Sequence, residues 1–480
     1  MARRLPSITF FGLQSREGLS FGLMMLSAAL RRRGITCRLV LARSAEEALK
    51  SFAEAPTDVV GFSVTTGLHR VFVAWALALK RRFGVHTVFG GPHPTFFPDF
   101  VATPGVDAIC IGEGESSLPA YLEAFGDAMA PPSHPVPGWR HKREGSGGLE
   151  LLEGEAQPLE PDLDALPSPD WSLYYDRNPW LASHPVKSFL GTRGCPYRCT
   201  YCFNREWLDR SSRPASSVVR TRDPELVVGE IEDVRRRWPL RLVWFLDSNF
   251  AANRKWLASF LPLYRARVGL PFFCKVRPNS ATPDLVESLV GAGCTSVGIG
   301  IESGNDRLRN EVLERRMSSE QIVNASLGFV ERGARVMSFN MVGLPGETYE
   351  MAKETLALNV EARVDYAMTM FLQPFPGTEI ARRARAEGLF DGDFEALASS
   401  YFQPSPIRSP SPWDRRRIVN LQRLMAMAVA FPEVRRHIDL WVSLPENPFY
   451  LELFKRYNHR AFHSEFYKAY SLRLPRKGLR

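Results

Sequence analysis

Two stretches in which short apolar runs alternate with amphipathic helical patterns predict an α/β protein of 480 residues: a Rossmann-like or flavodoxin-like domain over 1–126, then a partial (β/α)6, TIM-like barrel over 187–385. Between them, residues 127–186 are rich in Pro, Gly and charge and form an expected linker. Beyond 385 the strand rhythm is lost, and 386–480 is expected to be a helical C-terminal region.

In the first region strands are expected at 8–13, 36–41, 58–63, 86–89 and 108–111, with one helical face marked by Leu23, Leu26 and Leu30 and another by Val71, Trp75, Ala78 and Leu79. Parallel sheets of this kind bind ligands beyond the carboxyl ends of their strands. That directs attention to Ser63-Val64-Thr65-Thr66-Gly67, Gly90-Gly91-Pro92-His93 and Gly112-Glu113-Gly114-Glu115. Glycines there let a flat ligand approach the backbone, although the same residues also serve ordinary turns. No GxGxxG follows the first strand, which argues against a dinucleotide site, and there is no DxHxxG segment. In the linker, a little strand structure is expected near Leu149 to Leu152.

In the second region strands are expected at 188–191, 242–247, 272–277, 296–302, 336–342 and 367–373. Helix starts are marked by Asp223-Pro224, by Thr282-Pro283, and by Ser318 with Gln321 three residues on, a capping-box pattern. Six such units make a partial barrel, with function expected at the C-terminal strand ends. The C-terminal aromatics, among them Trp413, Trp441, Phe449, Tyr450, Phe454, Tyr457, Phe462, Phe466, Tyr467 and Tyr470, are expected mostly to pack on amphipathic helices.

Just past the first barrel strand stands GTRGCPYRCTYCFN, which places Cys195, Cys199 and Cys202 within eight residues. Soft thiolates select zinc, copper(I) or iron–sulfur clusters. A structural zinc site normally needs a fourth Cys or His at close spacing, and none follows within a few residues. A cubane cluster has four irons, so three thiolates leave one iron open to an exogenous ligand. The other four cysteines, Cys37, Cys110, Cys274 and Cys294, are scattered through apolar surroundings and are expected as core residues of a protein in a reducing compartment.

The N-terminus carries no cleavage site after its short apolar run, and no run of about eighteen apolar residues occurs, so a cytoplasmic chain without a spanning helix is expected. The net charge is +9, but the basic runs at Arg31 to Arg33, Arg235 to Arg237 and Arg415 to Arg417 lie in or beside helical patterns. An anionic small molecule or a peripheral membrane surface would suit such charge, and no nucleic-acid-binding module is recognisable.

GCPYRCTYC is similar to the cluster motif of the radical S-adenosylmethionine superfamily, and residues 1–385 resemble its cobalamin-binding branch, both class B methylase-like members and anaerobic magnesium-protoporphyrin ester cyclase-like proteins. The resemblance implies that Cys195, Cys199 and Cys202 hold a 4Fe–4S cluster and that Tyr201 contacts the adenine of S-adenosylmethionine. Glu302 and Ser303 of GIGIESG would then bind its ribose and amino-acid portion, with Asn340, GLPGET and PFPGTE on the following strands. Asp247 and Ser248 stand where many members carry Gly-Gly-Glu, a departure from the pattern. Arg277 is placed to meet a carboxylate, or to form a salt bridge within the barrel.

Cobalamin would lie across Ser63, Thr65, Gly67, Gly90, Gly91, His93, Gly112 and Glu113. His93 is expected as a hydrogen-bonding loop residue rather than a cobalt ligand. The implied activity is methylation of an unactivated carbon of a small-molecule or natural-product substrate, with electrons from a flavodoxin- or ferredoxin-type donor. The alternatives are a cyclisation or rearrangement without methyl transfer and, outside enzymes, a cobalamin or cluster sensor. A methylthiotransferase would carry a second cysteine triad in a domain that here holds only Cys37 and Cys110.

Overall fold

The computed structural model describes residues 4–14, 19–126, 129–145, 148–211 and 218–461. The chain separates into two compact units, Met1–Ser183 and His184–Arg480.

In the first unit the strands are β1 (Ile8–Leu13), β2 (Cys37–Ala42), β3 (Val59–Ser63), β4 (His86–Gly90), β5 (Ala108–Cys110), β6 (Trp139–Gly145) and β7 (Gly148–Glu153). They form one sheet in the order β2-β1-β3-β4-β5-β6-β7, with β1 to β5 parallel. This is the doubly wound order, with its reversal beside β1. Nearly continuous apolar strands are buried on both faces, and Phe62 stacks between Phe11 at 5.7 Å and Phe89 at 4.8 Å.

The strand expected near Leu149 is β7, and its partner β6 extends the sheet antiparallel from β5. Charge conceals β6 in the sequence, WRHKREG, yet it alternates. Trp139 and His141 are buried while Arg140, Lys142 and Arg143 are half-exposed, and Trp139 stacks on Tyr121 at 4.1 Å.

The second unit holds β8 (Val186–Phe189), a short antiparallel pair β9 (Thr192–Arg193) and β10 (Arg220–Thr221), then β11 (Leu242–Phe245), β12 (Phe272–Val276), β13 (Cys294–Glu302), β14 (Arg335–Val342) and β15 (Tyr366–Phe371). Six of these form a parallel sheet ordered β15-β14-β13-β12-β11-β8, each strand beside its neighbour in sequence. That is an open half-barrel. Asp223, Thr282 and Ser318 cap the helices Pro224–Arg237, Pro283–Gly291 and Ser319–Glu331, and Ser318 with Gln321 forms the complete capping box.

The C-terminal helix Pro412–Ala430 buries Ile418, Leu421 and Met425 in a core shared with Val342, Leu356 and Phe371, which ties it to the β14–β15 side of the barrel. Its basic run is partly a packing device: the Arg417 guanidinium lies 3.6 Å from the centre of the Tyr349 ring. Tyr450 and Phe454 are buried, whereas Trp413, Trp441 and Phe449 are exposed. Phe462, Phe466, Tyr467 and Tyr470 lie outside the described residues. No helix among the described residues is long and apolar enough to cross a membrane.

Candidate active site

The cysteine loop leaves β8 through a corner fixed by one buried carboxylate. Asp247, just past β11, accepts from the backbone N–H of Gly191 at 3.2 Å and of Thr192 at 2.6 Å, and from the Thr192 hydroxyl at 2.6 Å. A Cβ at Gly191 would come within 2.5 Å of the Trp256 ring, so the chain passes only because no side chain is there. Farther on, Thr200 donates from its N–H to Leu313 O at 3.2 Å and from its hydroxyl to Val312 O at 2.7 Å, while its carbonyl accepts from Ile380 at 3.0 Å.

Cys199 is buried and Cys195 and Cys202 are half-buried. Burial pushes the thiols of Cys195 and Cys202 up, that of Cys202 to about 11, and the neighbouring sulfurs reinforce the shift. Three such groups become thiolates only where positive charge compensates them. Two buried guanidiniums contribute: Arg277 Nη1 donates to Cys199 Sγ at 3.4 Å and Arg315 Nη1 at 3.8 Å. Among the described residues no three His, Cys, Asp or Glu side chains are arranged to share a single metal ion. A cubane makes a different demand, because each thiolate binds its own iron, and three soft donors beside two cations fit it.

The cysteines border a cavity of about 590 Å³ at the C-terminal ends of the strands. One wall is polar, with Ser248, Asn249, Lys275, Arg277, Glu302 and Arg315 from the β11–β13 side. The other is apolar, with Phe339, Met341, Met370, Phe371, Leu372 and Phe375 from β14, β15 and the segment beyond.

Glu302 ends β13 in the left-handed region at φ +65°, a conformation that costs a non-glycine residue about 1–3 kcal/mol and is held by its surroundings. Burial raises its carboxyl pKa against the opposing pull of Arg315, the Tyr201 hydroxyl and Arg277. Arg315 Nη1 stands 3.9 Å from Glu302 Oε1 and 3.2 Å from the Tyr201 hydroxyl. The following turn is a π-helical segment, Leu308–Val312. There the fully buried Arg309 donates to Ser303 O at 2.9 Å, Gly304 O at 3.1 Å and Met317 O at 3.0 Å.

Of the residues singled out in the barrel sequence, Tyr201, Ser248, Arg277 and Glu302 line the cavity together with the three cysteines. Asp247, Ser303 and Asn340 are not among its lining residues. Asp247 is committed to the β8 corner. Ser303 is fully buried and accepts from Asn305 N–H at 3.3 Å. Asn340 sits in a buried network, donating to Ser338 Oγ at 2.8 Å and accepting from Asn359 Nδ2 at 2.8 Å.

The sequence pattern does not single out Arg315, Asn249 or Lys275, which also line the cavity. Arg315 lies in Glu314-Arg315-Arg316, which looks like a solvated charge run. Only the left-handed φ of both flanking residues, 51° and 50°, marks it as a special turn.

Glu347 of GLPGET accepts from Gly343 N–H at 2.6 Å and Leu344 N–H at 3.1 Å through one oxygen, while its other oxygen has no partner among the described residues. Burial pushes this carboxyl up from 4.5 to about 8. The folded chain therefore keeps a proton that the unfolded chain releases, so this contribution to stability is full below about pH 4.5 and is lost as pH rises toward 8. Unfolding by denaturant at pH 5, 6.5 and 8 should show wild type losing stability relative to Glu347→Gln, by up to about 1.4 kcal/mol per pH unit. A difference that stays constant with pH would contradict the buried, protonated carboxyl.

In the first unit the three glycine-rich segments stand at the carboxyl ends of β3, β4 and β5. Gly91, at φ +96°, lets the β4 turn lie against the end of β3, since a Cβ there would meet Val64 O at 2.9 Å and Ser63 Oγ at 3.2 Å. Gly90 ends β4. Gly67 donates its N–H to His69 Nδ1 at 3.0 Å, and Gly112 donates to Thr95 Oγ1 at 3.1 Å. Thr65 is exposed, whereas Glu113 accepts from Glu160 N–H at 2.9 Å.

His93 is 1% exposed, stacks on His69 at 3.9 Å and shares a 3.0 Å hydrogen bond with Thr66 Oγ1. Burial, assisted by His69, lowers its pKa to about 3, so the ring is neutral and packs behind the turn. Close-set backbone at these strand ends, with Gly90, Gly91 and Gly112 partly exposed, fits a large, flat ligand.

Residues 16–122 match the B12 binding domain family and residues 189–358 the radical SAM superfamily. The chain is similar to an uncharacterized methyltransferase of Pyrococcus horikoshii, at 24% identity over 69% of this chain and 70% of that one. It is also similar to the anaerobic magnesium-protoporphyrin IX monomethyl ester cyclase of Cereibacter sphaeroides, at 25% identity over 78% of this chain and 60% of that one. In fold it resembles TsrM, a radical S-adenosylmethionine methyltransferase from Kitasatospora setae, with a TM-score of 0.68 at 16% identity, covering 96% of this chain and 99% of that one.

Proposed function

Because the chain carries a B12 binding domain followed by a radical SAM domain, we propose that it methylates an unactivated carbon of a small, largely apolar molecule. The observation that carries this reading is the cavity bordered by the three cysteines, polar on one wall and free of charged side chains on the wall from β14 and β15. When bound, the 4Fe–4S cluster and S-adenosylmethionine supply a 5′-deoxyadenosyl radical, and cobalamin supplies a methyl group.

The chain's own residues hold and orient these groups. Cys195, Cys199 and Cys202 would each hold one iron of the cluster. Glu302, fixed by Arg315 and Tyr201, presents a carboxyl to hydroxyl or ammonium groups entering from the polar wall. Ser248 and Arg277 border the same wall, and the buried Asn249 Nδ2 has no hydrogen-bond partner among the described residues. The apolar wall packs the substrate and excludes water. In the first unit Ser63, Thr65, Gly67, Gly90, Gly91, Gly112 and Glu113 would receive cobalamin, with His93 supporting the loop from behind. A flavodoxin- or ferredoxin-type protein would supply electrons.

The test is anaerobic purification with cluster reconstitution, optical detection of cobalamin, and chromatography of S-adenosylmethionine turnover with candidate apolar substrates. Cleavage to 5′-deoxyadenosine with a product one methylene heavier is expected. 5′-Deoxyadenosine with a cyclised or rearranged product that lacks the added methylene would instead establish the alternative, and a folded, iron-loaded chain that neither binds cobalamin nor cleaves S-adenosylmethionine would overturn both.

A further inference from the structure

Two guanidiniums converge on a single cysteine sulfur, each also resting on a tyrosine of the cysteine loop, Arg277 on Tyr197 and Arg315 on Tyr201. Arg277 sits just past β12, 7% exposed, with its guanidinium carbon 3.9 Å from the centre of the Tyr197 ring, Nε donating to Asn279 Oδ1 at 3.1 Å and Nη2 donating to Arg315 O. Arg315 is 6% exposed, with Nη2 donating to Gly300 O and Nη1 directed at Tyr201 and Glu302. Each side chain is thus anchored by partners other than sulfur and held against Cys199 Sγ, at 3.4 and 3.8 Å. Cys195 and Cys202 receive no such pair of hydrogen bonds among the described residues: Cys195 feels both guanidiniums only through space, and Cys202 Sγ accepts from the Asn204 side-chain amide, at 3.5 Å, and from the Asn204 backbone N–H.

Two fixed positive charges cost desolvation, and among the described residues one carboxylate, Glu302, lies within ion-pair distance of Arg315 and none is paired with Arg277. They repay it where negative charge accumulates in the same dry space. A thiolate-ligated cluster gains one further negative charge on reduction, and its potential is set by charge, hydrogen bonds to sulfur and exposure.

We propose that Arg277 and Arg315 are redox-tuning residues that raise the reduction potential of the cluster through Cys199, so that a low-potential one-electron donor can reduce it before S-adenosylmethionine is committed. The step is a single electron passing from the donor, which is oxidised, to the cluster, which is reduced, with no bond made or broken. This rests on the cluster reading above.

The experiment is a redox titration of the full-length, anaerobically reconstituted chain with dithionite and mediators, followed by the electron paramagnetic resonance of the reduced cluster, without S-adenosylmethionine. Arg277→Gln and Arg315→Gln each remove one charge while keeping an amide donor. Each should lower the reduced-to-oxidised ratio at a fixed poise about tenfold, a midpoint shift of about 59 mV to more negative potential. Arg277→Lys and Arg315→Lys, which keep the charge, should change the ratio less than about threefold, a shift under about 30 mV.

Gln variants that carry full iron and sulfide yet titrate with wild type, or at more positive potential, overturn the proposal. Should the Gln variants not retain iron, the Lys variants decide: a near-wild-type midpoint supports the charge, and a tenfold loss overturns it. Absence of iron, sulfide and the resonance in wild type would instead remove the cluster reading itself, so the two failures are distinguishable.

Discussion

Cys199→Ala is expected to abolish S-adenosylmethionine cleavage, below about one thousandth of wild type, while cobalamin stays bound at the wild-type ratio. The buried Cys199 side chain is small, and trimming it to Ala removes little apolar volume, so folding should cost no more than about 1–2 kcal/mol. The chemical loss is total by comparison. Two thiolates cannot hold the cluster in place, and Arg277 and Arg315 would face each other across the missing sulfur. The segments proposed to receive cobalamin belong to the compact unit Met1–Ser183, whereas Cys199 belongs to His184–Arg480.

Iron and sulfide analysis, the visible spectrum of cobalamin and 5′-deoxyadenosine chromatography on one preparation give all three readouts. Retained cleavage would refute the cluster assignment. Joint loss of iron and cobalamin from a folded chain would refute the separation of the two sites.

The sequence was most legible where one physical rule acts alone. Parallel strands buried on both faces announce themselves as apolar runs, and all eleven expected in the two sheets occur, within two or three residues of their predicted ends. Asp223, Thr282 and Ser318 cap helices because a side-chain oxygen before a helix has one evident use. Legibility fails where a residue type serves several ends. Asn340 and Ser303 are polar residues at barrel strand ends, which is where ligands bind, yet backbone and neighbouring amides take up their hydrogen-bonding capacity. Arg315 is the opposite case: a charge run in the sequence conceals a buried cation, because its burial depends on two left-handed residues and on the distant Gly300 carbonyl.

Asp247 offers the sharpest contrast between those two kinds of residue. As a cofactor ligand it would be expected to weaken S-adenosylmethionine binding when replaced and to leave the fold intact. Its placement leads to a different result. Oδ1 takes both Thr192 donors and Oδ2 takes the Gly191 N–H, so Asn can satisfy the first pair but must turn an N–H₂ toward the last donor. Asp247→Asn should therefore cost about 1–3 kcal/mol.

Asp247→Ala leaves all three donors buried without an acceptor and also removes the negative charge that supports the Lys275 ammonium, so about 3–5 kcal/mol is expected. In a unit of this size that lowers the melting temperature by roughly 6–15 °C. Cluster content should fall in the same order, wild type above Asn above Ala, because the corner at Gly191 and Thr192 aims the cysteine loop. Calorimetry with iron analysis separates the two roles: variants that melt and load iron as wild type does but bind S-adenosylmethionine tenfold more weakly would return Asp247 to the cofactor.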